Sequence, residues 1–145
     1  MRIIGTNIKK IHVVRNDLKG TVRIGKITNN VQITDVQEIE LPTGEKALLF
    51  EFKFTTDYQL EKPKGKKLGE IEIMGNIVAF CEEKERKDVM KAWKKKQLEP
   101  SLFQSLLNAA LEVSQVEALY NAKKVLLPPP VRIPQVRLER PGQGG

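Results

Sequence analysis

The chain has 145 residues, enough for one domain with its own core, and it carries a net charge of +7 with 30% charged residues. Its single Cys81 and single His12 exclude an internal disulfide and leave no soft-ligand set for a metal, so neither metal nor cofactor is expected. No signal peptide is read, and no apolar run approaches the ~18 residues of a membrane span, so the expectation is a reducing cytoplasm and no membrane partner. Lys and Glu dominate while Cys and His are nearly absent, a usage that resembles that of heat-loving organisms.

The charge is unevenly placed. Residues 2–34 hold seven cations against Asp17 alone, whereas residues 35–61 hold seven acids against Lys46 and Lys53. A basic surface beside an acidic one suits docking on a polyanion or on a partner of mixed charge.

The first eighty residues read as strands. Residues 7–15 form one. Residues 31–41 alternate imperfectly: Ile33 and Ile39 share a face and Val36 does not, which implies a bulge or cover on both sides. Pro42-Thr43-Gly44 marks a hairpin turn. After it, Leu48, Phe50, Phe52, Phe54, Thr56 and Tyr58 alternate with polar neighbours, giving a long strand with one aromatic, core-facing side. The segment Lys62-Pro-Lys-Gly-Lys-Lys67 interrupts, and residues 68–81 resume the pattern, with Ile71, Ile73, Ile77 and Ala79 on one face and Gly75 as a bulge or kink. These strands imply a hairpin-joined antiparallel sheet of about four.

The rest is helical. Residues 82–97 make a short charged helix with Val89, Ala92 and Trp93 on its apolar side. A second helix opens at Pro100 and runs to about Lys123. It carries Leu102, Phe103, Leu106, Leu107, Ala110, Val113 and Leu119 at helical spacing, and Ser101 with Gln104 resembles a capping box. Such helices must cover a sheet or each other, so the fold class is α+β: about four antiparallel strands covered by two C-terminal helices. The domain runs over 1–125, followed by an extended, basic, proline-rich tail over 126–145. There Val131, Ile133, Val136 and Leu138 alternate with Arg132, Arg137 and Arg140.

Chemistry is hard to place. Neither His12 nor Cys81 has a readable catalytic partner, and Glu70 with Glu72 on one strand face are solvated residues before they are an acid/base pair. Gly65 lies among lysines without the Gly-Lys-Ser/Thr ending of a phosphate loop. The expectation is a protein that is not an enzyme and takes no small-molecule substrate.

The order of long alternating strands, a final strand to Cys81, a long amphipathic helix and a proline-interrupted return resembles the SecB family of protein-export chaperones. Residues 47–58, Leu68-Gly-Glu-Ile-Glu-Ile-Met-Gly75 and Leu127-Pro-Pro-Pro-Val-Arg-Ile-Pro134 carry that resemblance, which is one of layout. It implies a four-stranded antiparallel sheet backed by helices, and binding of non-native polypeptide in long apolar grooves without nucleotide. The family is typically acidic and this chain is basic. Two main readings follow. The first is a ribosome-associated or rRNA-binding structural protein on a SecB-like scaffold. It would contact phosphates through Lys62, Lys64, Lys66 and Lys67, through Lys91, Lys94, Lys95 and Lys96, and through Arg132, Arg137 and Arg140. The second is a free holdase for unfolded polypeptides that assembles with copies of itself. A weaker third treats residues 128–134 as a docking peptide for an aromatic groove.

Overall fold

The computed structural model of the chain describes residues 1–130. Its elements are β1 (Arg2–Arg15), β2 (Arg23–Glu40), β3 (Lys46–Lys62), β4 (Lys67–Phe80), α1 (Glu83–Lys94) and α2 (Pro100–Lys124). The expected α+β arrangement of four antiparallel strands and two C-terminal helices is present, with α2 against all four strands and α1 beside β2.

The strand order is β1-β4-β3-β2, so only β2–β3 and β3–β4 are hairpins. The expectation of hairpins throughout fails at the first connection. β1 pairs with β4, and residues 16–22 cross the end of the sheet to start β2 on the far edge. Seven extended residues reach roughly 24 Å, comfortably more than the roughly 14 Å of three strand spacings. Leu18 and Val22 hold the crossover down by packing on the cluster around Tyr58, Leu60 and Leu68.

β3 behaves as its alternation requires. Phe50, Phe52, Phe54 and Tyr58 are fully buried, and Phe50 and Phe54 stand opposite Ile77 and Ile73 of β4. Phe52 stands opposite Gly75. A Cβ at Gly75 would run into the Asn7 carbonyl oxygen and lie 2.7 Å from Cζ of Phe52. Gly75 is therefore where a backbone and a ring meet closely, and the bulge expected there sits instead in β1, between Ile8 and Lys10. In β2 the register slips between Ile33 and Asp35. The extra residue returns Val36, opposite Phe50, to the same face as Ile33, while Ile39 pairs with Ala47 on the other face, the reverse of the face-sharing read from sequence.

α2 turns Leu106, Ala110, Ser114, Ala118 and Ala122 inward, one every fourth residue. Small side chains along that line let the helix lie close to the sheet, while Phe103, which the helical spacing placed in the apolar stripe, is substantially exposed. The capping box does not form. Glu99 is the N-cap, and Ser101 Oγ donates to Glu99 Oε1 at 2.6 Å while Gln104 Nε2 donates to Asn108 Oδ1 at 3.1 Å.

Past α2, Leu127 is buried beside Gly69. Tyr58 donates its hydroxyl hydrogen to the Pro128 carbonyl at 2.7 Å, and Asn29 Nδ2 donates to the Pro130 carbonyl at 2.8 Å. Residues 126–130, read from sequence as the start of the tail, thus lie across the sheet face that α2 covers.

Candidate functional site

The lysines singled out from sequence fall into two groups that the fold keeps apart. Lys62, Lys64, Lys66 and Lys67 lie at the β3–β4 hairpin, and Lys64, Lys66 and Lys67 line an open hollow of about 370 Å³ there. Lys91 and Lys94 lie in the last turn of α1, with Lys95 and Lys96 just after it; α1 packs back beside β2, where Lys96 comes near Asp35, opposite Glu51 of β3. Glu51 and Lys62 are eleven strand residues apart, so at about 3.3 Å per residue roughly 35 Å separates Lys62 from the level of Asp35. They do not form one surface. Lys67 is held by Asp57 at 2.8 Å, and that hydrogen bond raises its pKa. Lys96 stacks its ammonium 3.5 Å from the centre of the Trp93 ring. Arg132, Arg137 and Arg140 lie outside the described residues.

Among the described residues, few titratable groups are shifted from their ordinary values. Burial, with Glu85 nearby, pushes the Cys81 thiol up, away from the reactive thiolate. His12 is exposed, opposite Glu72, and Glu72 is 3.3 Å from Lys53. Asp35 is held below the usual carboxylate range by a hydrogen bond from Gln37 Nε2 at 2.7 Å. Arg86 is buried, with Nη1 donating to the Cys81 carbonyl at 3.2 Å and Nε 3.5 Å from Glu38, so its charge ties α1 to β2.

A more distinctive feature lies along β1. Ile3, Ile8, Ile11 and Val13 stand opposite Ala79, Gly75, Ile73 and Ile71, extending the apolar rows of the core by one strand. α2 touches β1 as well as the inner strands, yet Ile3 and Ile11 remain 40% and 41% exposed. Between the starts of β1 and α2 this opens into a groove of about 520 Å³, walled by Met1, Ile3 and Leu102 over a floor of Leu106. Its rim is polar, with Arg2, Glu85, Glu99, Ser101 and Ser105. The terminal ammonium of Met1 sits 3.3 Å from Glu85 and pins that end of β1. β1 pairs with β4 on one side only, so among the described residues the N–H and C=O groups along its outer edge have no strand partner. Sequence reasoning began this strand at Asn7 and missed Ile3. The signal present was the pair Ile3-Ile4 beside Met1, which the alternation rule does not pick up.

No protein-family model matches the chain. No curated protein matches it. Among solved structures, the chain is similar to a SecB-like chaperone of Mycobacterium tuberculosis in complex with a ChAD peptide from the HigA1 antitoxin. The two share 11% identity with a TM-score of 0.48, over 97% of this chain and 91% of that one. A likeness at that level fixes neither activity nor partner, and it lends no support to a ribosome-associated reading.

Proposed function

We propose that the protein is a holdase: it binds extended apolar segments of other polypeptides and does no chemistry of its own. What supports this is the combination along β1 of half-exposed isoleucines on the inner face with an unpaired backbone edge beside them. An extended chain added there would satisfy the edge through main-chain hydrogen bonds, while its alternate side chains enter the groove over Leu106. Such binding is tolerant of sequence, because the backbone supplies the directional contacts and the groove asks only for apolar bulk. Natural sheets usually blunt an edge of this kind. Here the two register shifts in β1 and the cations Lys9 and Lys10 do so in part, which discourages unlimited pairing between copies.

The test is suppression of aggregation, followed by light scattering, when a chemically unfolded client is diluted into the protein. The wild type should suppress scattering, and the double variant Ile3→Asp, Ile11→Asp should lose that effect. Each side chain is about three fifths buried, so the double variant should lose roughly 2–3 kcal/mol, and a cooperative melt shows that it is still folded. Scattering unchanged by the wild type, or full suppression by the variant, overturns the proposal.

A further inference from the structure

One end of the sheet collects cations from segments that are distant in sequence. Arg15 closes β1, Lys19 lies in the crossover, and Arg23 and Lys26 open β2. The β3–β4 hairpin adds Lys62, Lys64, Lys66 and Lys67 beside them, with Arg23 directly opposite Lys62. α2 brings Lys123 and Lys124 to the same end, tied there because Arg15 Nη1 donates to the carbonyl oxygens of Val125 and Leu126. Against these ten cations stand four carboxylates, Asp17, Asp57, Glu61 and Glu70. Two are already engaged, Asp57 by Lys67 at 2.8 Å and Glu61 by Arg23 at 3.8 Å. Among the described residues, Lys19, Lys26, Lys62, Lys64, Lys66 and Lys123 make no ion pair, and all six are exposed. The far end of the sheet is mixed, with Glu38, Glu40 and Glu45 at its hairpin and both signs along α1. The molecule therefore presents a directed positive field.

We propose that this end docks on the phosphate backbone of a double-stranded nucleic acid without reading its sequence. Lysine dominates the surface, and lysine is depleted from protein–protein interfaces but suits phosphates as a point charge. Single strands are bound by stacking bases on aromatic rings, and this end offers no free ring. Tyr58 is buried with its hydroxyl committed to Pro128, and the Tyr120 ring already takes the Lys124 ammonium at 4.3 Å. The sheet end spans about 15 Å, from four strands about 4.8 Å apart. A duplex carries one charge per roughly 1.7 Å of axis with both strands counted, so about nine phosphates lie within that width and roughly half of them face one side, enough to engage about five lysines together.

The test uses the full chain and fluorescence anisotropy with a labelled 20-base-pair duplex of arbitrary sequence, as RNA and as DNA. Engaging about five phosphates gives a slope of log affinity against log salt near −4.5, a loss of several hundred-fold between 50 and 200 mM. The triple variant Lys62→Ala, Lys64→Ala, Lys66→Ala should weaken binding at least tenfold and flatten the slope by about 2 to 3. Lys91→Ala, Lys94→Ala, Lys95→Ala, at the other end of the molecule, should leave both nearly unchanged. Equal losses in the two triples would mean that only net charge matters and would overturn the proposal. So would polyglutamate competing as well as duplex, which would point to an acidic protein, or an absence of binding at 50 mM salt.

Discussion

β1 and β3 run in the same direction on either side of β4, and both turn alternate apolar residues towards the layer that holds α2. On β3, Leu48, Phe50, Phe52, Phe54 and Tyr58 are completely buried; on β1, Ile3 and Ile11 keep about two fifths of their surface in water. The difference is one of position: β3 has a strand on each side, whereas β1 is an edge strand paired on one side only, and α2, which touches all four strands, leaves Ile3 and Ile11 partly uncovered. Apolar side chains of similar type thus serve two ends. Those of β3 go into the core, and those of β1 stay partly in water, where the proposed capture of another chain would use them.

The strongest way to break that contrast is to remove an aromatic ring from β3. Phe52 packs in the cluster with Ile33, Leu48, Ile77 and Leu106, and it also fills the space that Gly75 leaves open. Phe52→Ala should cost about 3–5 kcal/mol, the lost burial plus a cavity the neighbours cannot close. Denaturant melts check this. A loss below about 1 kcal/mol would mean that β3 carries no more of the core than β1 does.

A second test works on β3 through pH. Burial pushes the Tyr58 phenol up to about 12, from a value near 10 in the unfolded chain. Between those values the unfolded chain gives up the proton first and so binds fewer protons than the folded one. Stability is then fully present below about pH 10 and falls as pH rises towards 12. Tyr58→Phe should remove this part of the alkaline loss. At neutral pH it should cost about 1 kcal/mol, because the Pro128 carbonyl loses its donor. Melts of both proteins from pH 8 to 11.5 check the sign, and parallel curves would place the phenol in water.

The contrast also explains what was legible in the sequence. β3 was readable because its alternation is unbroken from Leu48 to Tyr58 and ends in a Pro-Thr-Gly turn on one side and a lysine-rich turn on the other. The starts of β1 and β2 were not, because register shifts near Ile4 and Gly25 break the two-residue period there. Pairing of β1 with β4 joins residues 54 to 78 apart, which no local pattern encodes. α2 carries apolar side chains on more than one side, so its sequence does not say which line meets the sheet, and the groove along β1 depends on that choice. The two lysine groups were legible as cationic for the opposite reason. Their shared composition was visible, and the strand length that separates them was not.

The smallest effect on stability is expected on β1 and carries the most information about function. Ile11 stands opposite Ile73 at the uncovered edge of an apolar row, with 41% of its surface already in water. Truncating it to alanine removes little buried area, and at about 25 cal/mol per Å² the loss should be about 1 kcal/mol or less. If β1 serves only the core, Ile11→Ala should change nothing beyond that small shift. If β1 is the surface on which another chain lies, the same truncation should weaken capture of an unfolded client several-fold while the melt barely moves, because the buried area is then lost from the complex. Fluorescence titration of a labelled unfolded client against wild type and Ile11→Ala, with paired melts, separates the two. Equal client affinities would leave the exposed isoleucines of β1 without a binding role and return the whole apolar face to the core.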